Sequence, residues 1–220
     1  MARKEILKYP KNEAALRRKC EPVEVMGRKA KRLIRDLKDT LAAHSNGVGL
    51  AAPQIGAHLR VVIVQLGSAE QSVETQRRFT ALVNPVILEA DQERRDFDGC
   101  LSFPGLFGET IRPHYLRLSG LDEQGKPFER TFEGFDAVVV HHEIDHLDGV
   151  LFIDRIERMQ DLYRLEKDPS GKSIRVPVSS ILSREIQPGH TGKPGLVRSS
   201  GSKDSSRDAA SSTPINPNRE

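Results

Sequence analysis

The chain has 220 residues, 30% of them charged, with a net charge of +3 and only two cysteines. That length supports one domain with a real core, and two cysteines exclude a disulfide framework. No apolar run approaches a membrane span and no signal-like core follows Met1, so a cytoplasmic protein that touches no membrane is expected. Residues 188–220 carry five Lys/Arg and three Asp/Glu, which leaves +1 for the remainder and argues against a DNA-binding domain.

Met26, Ala30, Leu33, Ile34, Leu37 and Leu41 recur at helical spacing and predict a helix over 25–43. Its opposite face holds Arg28, Lys29, Lys31, Arg32 and Arg35, a solvated surface that offers at most a weak contact to ribosomal RNA. Strands are expected over 59–64 and over 80–88, the latter interrupted by Asn84-Pro85. Residues 115–121 and 128–132 flank a turn at Asp122-Glu123-Gln124-Gly125-Lys126 and predict a hairpin. A helix is predicted over 135–147, stopped by Gly149, and another over 155–166. The pattern is α+β, with antiparallel strands packed around one central helix. A catalytic domain over 1–167, an intermediate segment over 168–186 and a disordered, Gly/Ser/Pro-rich tail over 187–220 are expected.

The central helix carries His142-Glu143-Ile144-Asp145-His146. Residues i and i+4 share a helix face, so both imidazoles can address one ion while Glu143 reaches a water beside it. Two histidines do not complete a catalytic site, which normally has three protein ligands. In the continuation H-x-x-G-x-x-H, Gly149 fits the glycine, but Phe152 stands where the last histidine is needed. Two candidates remain. Glu166 lies about twenty residues downstream in a charged stretch, and using it as third ligand would make a zinc endopeptidase. Cys100, in Asp98-Gly99-Cys100-Leu101-Ser102-Phe103, offers a thiolate suited to zinc or iron.

Three segments in order resemble the peptide deformylases: Gly47-Val48-Gly49-Leu50-Ala51-Ala52-Pro53-Gln54-Ile55-Gly56, then Gly99-Cys100-Leu101-Ser102, then His142 through Gly149. The opening Ile6-Leu7-Lys8-Tyr9-Pro10 is similar too, and the likeness covers about residues 4–160. The resemblance implies a deformylase fold and removal of the formyl group from formyl-methionyl nascent peptides. It implies Cys100, His142 and His146 as ligands of one divalent ion, iron(II) first, with zinc or another divalent metal as substitute. It makes Glu143 the general base and acid, and Gln54 with the Leu101 N–H the oxyanion donors. Gly49 and its neighbours would pair with the peptide backbone, and Val48 and Val138, with Phe103, would line the methionine pocket. A monomer with formylated peptides as partners is expected.

The chain also departs from that pattern. Asp98 stands where glutamate is usual, His141 where glutamine is usual, and Asn46 where an acidic residue is common. Several members have an arginine near the position of Phe107. His141 points about 100° away from His142 on a helix and is expected in a buried hydrogen-bonded role. His44, His58, His114 and His190 are expected at the surface, and Cys20 as a plain thiol.

Overall fold

The computed structural model describes residues 3–67 and 78–178. A short helix α1 (Glu13–Leu16) precedes the amphipathic helix α2 (Arg28–Ala42). Strands β1 (Gly49–Ala51) and β2 (Val61–Val64) follow. Two long strands come next, β3 (Thr80–Gly99) and β4 (Leu106–Leu121), and then β5 (Pro127–Glu133). Helix α3 (Gly134–Leu147) carries the histidine motif, and β6 (Leu162–Lys167) and β7 (Ser173–Pro177) end the described part. The strands form one antiparallel sheet in the order β1-β2-β3-β4-β6-β7, with β5 also paired to β4. The class is α+β, as the sequence predicts.

Period-two alternation explains how the sheet holds both long helices. Val61 and Ile63 of β2 pack with Leu33, Ile34, Leu37 and Leu41 of α2. The intervening Val62 and Val64 pack with Ala137, Val139, Val140, Ile144 and Leu147 of α3. A strand buried on both faces must be apolar at every position, which is why β2 reads Val-Val-Ile-Val. Each of the fully buried β2 side chains contributes about 1.5–3 kcal/mol relative to exposure. On α2 the apolar stripe is buried and Arg28, Lys29, Lys31, Arg32 and Arg35 are exposed, as expected. No helix among the described residues is long and apolar enough to cross a membrane.

Three element predictions need correction. Strand β3 does not stop near Leu88 but runs to Gly99, and β4 begins at Leu106 rather than Tyr115. The added part of β3 is charged and mostly exposed, so no apolar alternation marks it. The interruption at Asn84-Pro85 is real but local: Asn84 has φ 50 and the register with β4 slips between Val83 and Val86. The third correction is 155–166, which is not a helix. Only a short 3-10 turn, Met159–Asp161, precedes β6. Helix propensity there is good, but Leu162 and Tyr163 bury against the edge of β4 opposite Gly108 and Phe107. Strand pairing at an open edge outweighs a per-residue preference of tenths of a kcal/mol. Val178 beyond β7 is also buried, in the cluster that holds Cys100 and Phe152. The expected tail over 187–220 lies outside the described residues.

Helix α3 ends as predicted at Gly149, which has φ 75, and the amide of Val150 closes back to the Asp145 carbonyl at 2.9 Å. The chain near Arg17 crosses this end so closely that a Cβ on Gly149 would lie 2.1 Å from the Arg17 carbonyl oxygen. Gly149→Ala should therefore cost about 2 kcal/mol or more, the left-handed backbone and the backbone clash adding together. Urea unfolding of parent and variant would measure it, and an unchanged midpoint would refute the crossing.

Candidate metal centre

Helix α3 is buried on nearly all sides, so every polar group it carries needs a partner inside the protein. The main partner is Arg112 of β4, whose side chain is completely buried. Its Nε donates to Asp98 Oδ2 at 2.7 Å, and its Nη1 to Asp145 Oδ2 at 2.8 Å and His141 Nδ1 at 2.8 Å. Asp98 Oδ2 also accepts from the Thr110 hydroxyl at 2.9 Å. The other oxygen of Asp98 lies 2.7 Å from His142 Nδ1. Asp145 is held a second time by a two-pronged contact from Arg155, both bonds 2.6 Å.

These contacts orient the histidine motif. With Nδ1 of His142 tied to Asp98, its Nε2 is the nitrogen left to face the cavity. Cys100 follows the end of β3, and its Sγ lies 3.2 Å from His146 Nε2. One ligand atom from each of Cys100, His142 and His146 falls within 4.8 Å of the others, the one such group of three or more among the described residues. Glu166 does not join them; it is exposed on β6 opposite Ile174.

Burial opposes the Cys100 thiolate, but the neighbouring His146 and His142 outweigh it and hold the thiol down at about 5. The sulfur is thus a thiolate at neutral pH, the form that binds metal. Burial likewise opposes charge on His142, and Asp98 and Cys100 overcome it, raising that imidazole well above its usual range. Glu143 is pushed the other way: burial raises its carboxyl to about 7, against the pull of the two histidines. Its Oε2 is buried without a hydrogen-bond partner among the described residues. Gly49 makes room for it, since a Cβ there would sit 2.3 Å from Glu143 Oε1.

The donor set is one thiolate and two imidazoles, with a carboxylate beside them and an outer carboxylate on one histidine. This is what a catalytic divalent ion requires, with three protein ligands and a position left open. The group opens into a cavity of about 420 Å³. Val48, Gly49, Gln54, Leu101, Phe103 and Val138 line it together with Cys100, His142 and Glu143, while His146 meets the group through Cys100 and His142. Gln54 accepts the Ala51 N–H on its Oε1 at 2.7 Å, which turns its amide nitrogen toward Cys100 Sγ at 3.5 Å and Ser102 Oγ at 3.2 Å.

Set against known proteins, residues 3–161 match the model of the polypeptide deformylase family. The chain belongs to that family. Peptide deformylase 1 of Bacillus subtilis is 40% identical over 158 residues, covering 72% of this chain and 92% of the relative. A crystal structure of a peptide deformylase from Legionella pneumophila superposes with TM-score 0.63 at 37% identity, covering 71% of this chain and 87% of that one. A Met-Ala-Ser-bound peptide deformylase from Acinetobacter baumannii gives TM-score 0.61 at 31% identity, covering 70% of this chain and all of that one. Membership makes the chain an enzyme, a hydrolase of N-terminal formyl groups in a metal-dependent family.

Sequence reasoning missed Arg112, because β4 was expected to start after it. Extending the strand's alternation back from Leu118 and Leu116 would have placed Arg112 on the same face. Other histidine predictions divide. His141 has the expected buried, hydrogen-bonded role, and burial lowers its pKa to about 4, leaving it neutral. His44 and His58 are half-buried rather than superficial; each ring bonds a backbone carbonyl, of Thr40 at 2.8 Å and of Ala15 at 3.0 Å. His114 is also half-buried, 3.3 Å from Asp96. His190 lies outside the described residues. Cys20 and Cys100 are both free, and burial raises the Cys20 thiol to about 11.

Removing the guanidinium alone should be severe. Arg112→Met leaves Asp98 without its guanidinium partner and Asp145 with one of two, and should destabilise the protein by about 3–5 kcal/mol. Denaturant titration of parent and Arg112→Met would test this; a loss below about 1 kcal/mol would mean the cluster is not a coupled unit.

Proposed function

We propose that Cys100, His142 and His146 hold one divalent ion, iron(II) in the working enzyme with zinc able to replace it, and that this centre removes the formyl group from formyl-methionyl nascent peptides. The observation that carries the reading is the convergence of the three ligand atoms in one cavity with Glu143 and the Gln54 amide around them. A bound ion supplies Lewis acidity and makes a nearby water acidic enough to be deprotonated near neutral pH.

The chain's own groups account for the remaining work. Glu143, with a carboxyl near 7, accepts the proton of the attacking water and returns it to the leaving amine. The products are formate and a free amino terminus. Negative charge grows on the formyl oxygen as the carbon is attacked. The Gln54 amide and the Leu101 N–H are the donors proposed for that oxygen, and the bond from the Ala51 amide to Gln54 Oε1 supports the reading by fixing the Gln54 amide in advance. Donors fixed in advance cost no reorganisation during reaction, and each is worth roughly 3–4 kcal/mol.

Val138 is buried one turn before His142 on α3 and lines the cavity, as do Val48 and Phe103. Together they form the pocket proposed for the methionine side chain. The backbone around Gly49 is proposed to add the peptide as a further strand, so recognition beyond the first side chain rests on main-chain bonds. Met-Ala-Ser, bound in the relative from Acinetobacter baumannii, is the deformylated counterpart of the substrate proposed for this chain.

Formate release from formyl-Met-Ala-Ser by anaerobically purified, iron-loaded protein tests the reading. The parent should turn over, and Glu143→Ala should lose about 10²–10⁴-fold in rate. Cys100→Ser should lose tightly bound metal and Glu166→Gln should keep it. Metal retained in Cys100→Ser and lost in Glu166→Gln would move the third ligand to β6 and revive the endopeptidase reading.

A separate prediction concerns the pocket. Val138→Phe should raise KM for formyl-Met-Ala-Ser while leaving metal content unchanged, because it fills the proposed methionine site without touching a ligand. Unaltered KM would place the methionine elsewhere.

A further inference from the structure

Leu101 and Ser102 share one peptide plane, and both of its ends are bonded. Its N–H, on Ser102, donates to Cys100 Sγ at 3.4 Å. Its C=O, on Leu101, accepts from Lys8 Nζ at 2.5 Å. Lys8 is half-buried and lines the cavity, although it comes from the far end of the sequence.

The segment that carries Lys8 is fastened around the site on both sides. Leu7 N–H donates to the Gln54 carbonyl at 2.8 Å, and Tyr9 N–H to the Ser102 carbonyl at 3.0 Å. The Lys8 amide itself is held by Asn12 Oδ1 at 3.1 Å, and the Tyr9 ring stacks on Phe103 with centroids 4.7 Å apart. The ammonium is therefore delivered to one carbonyl by a braced backbone, which a loosely attached surface lysine would not achieve.

A charged donor bonds a carbonyl about twice as strongly as a neutral one. Hydrogen bonds at the two ends of an amide also reinforce each other: density drawn toward the oxygen makes the N–H a stronger donor. Here that N–H points at a thiolate. Sulfur that accepts a stronger hydrogen bond has less charge to give to an ion, and bonds to a cysteine sulfur are an established means of tuning metal centres.

We propose that Lys8 is a positioning residue of this site: through the Leu101–Ser102 peptide it orients and strengthens the N–H···S bond on Cys100, and so sets the donor strength of that sulfur toward the divalent ion. This rests on Cys100 being a ligand, as argued under Proposed function. A lysine that only braced the loop would alter stability without altering the electronic signature of the sulfur.

Cobalt(II)-loaded parent, Lys8→Met, Lys8→Gln and Lys8→Arg distinguish these roles by the sulfur-to-cobalt charge-transfer absorption. Lys8→Met should shift the band to lower energy, Lys8→Gln should shift it less, and Lys8→Arg should restore the parent position. In zinc-loaded, nitrogen-15-labelled protein the Ser102 amide proton should move upfield in Lys8→Met. With iron, kcat should fall about tenfold at unchanged KM, the low end for groups outside the ligand shell. A band and an amide proton that stay put in Lys8→Met overturn the proposal. If Lys8→Met does not fold, an unmoved band in Lys8→Gln overturns it instead. A parent without any sulfur-to-cobalt band overturns the ligand assignment and the proposal with it, whereas a band present but insensitive to Lys8 overturns the proposal alone.

Discussion

The guanidinium of Arg112 is the contact on which the rest of this structure depends. Helix α3 brings His141, His142, Glu143, Asp145 and His146 into the interior together, and burying that many ionisable groups without counter-charges would cost several kcal/mol each. Arg112 meets the cost at one point. A planar fork with five N–H groups can serve several acceptors at once, and here it serves Asp98 at the end of β3 and both His141 and Asp145 on α3. A lysine could not reproduce this, since its donors radiate from a single nitrogen. The desolvation of the charges offsets much of their attraction, so the cluster contributes chiefly a unique docking of helix on sheet. That docking fixes the direction of the His142 ring, and through it the nitrogen offered to a metal.

The proposed ligand set is thus divided between parts of the chain with different kinds of rigidity. His142 and His146 sit on a helix clamped between sheet and core. Cys100 sits in a turn between two strands, where backbone alone would leave a sulfur free to move. The structure compensates by stitching that turn to remote segments: Gln54 reaches Cys100 and Ser102 from one side, and residues 7–9 bond Leu101, Ser102 and Gln54 from the other. The two oxyanion donors proposed here belong to the same stitched assembly as the thiolate. Geometry at the sulfur and geometry at the oxyanion position are consequently coupled, and loosening one loosens the other. Placing catalytic atoms on a braced turn gives the precision that loops ordinarily lack.

Legibility in the sequence followed the range of the forces involved. The stripe of α2, the hairpin turn at Asp122–Lys126 and the stop at Gly149 are local effects, and each is where the spacing or the glycine puts it. The histidine pair was legible for the same reason, because helical geometry fixes i and i+4 without help from the rest of the fold. Cys100 could be nominated from the residues but not separated from Glu166 without the family resemblance, since 41 residues of chain lie between it and His142 and no local rule spans them. Arg112, Lys8 and Ser102 were invisible because their importance lies wholly in partners far away in sequence. The same holds for β6: its residues favour a helix, and only the unpaired edge of β4 explains why they form a strand.

The departures from the family pattern also become intelligible at this scale. Asp98 has one methylene fewer than the usual glutamate, yet each of its oxygens is committed, Oδ1 to His142 and Oδ2 to Arg112 and Thr110. His142 and Arg112 hold its carboxyl well below the usual carboxylate range despite its burial, so it stays charged under all physiological conditions. A shorter arm with both oxygens engaged has little freedom to swing into the cavity. Of the site's residues it therefore meets His142, as the fixed acceptor that selects the ring tautomer. His141, where glutamine is usual, is neutral and accepts from Arg112. The two changes fall on the same buried cluster, one at each end of the guanidinium. They change the outer support of the histidine motif, while Cys100, His142, His146, Glu143 and Gln54 keep the convergence on which the proposed reaction rests.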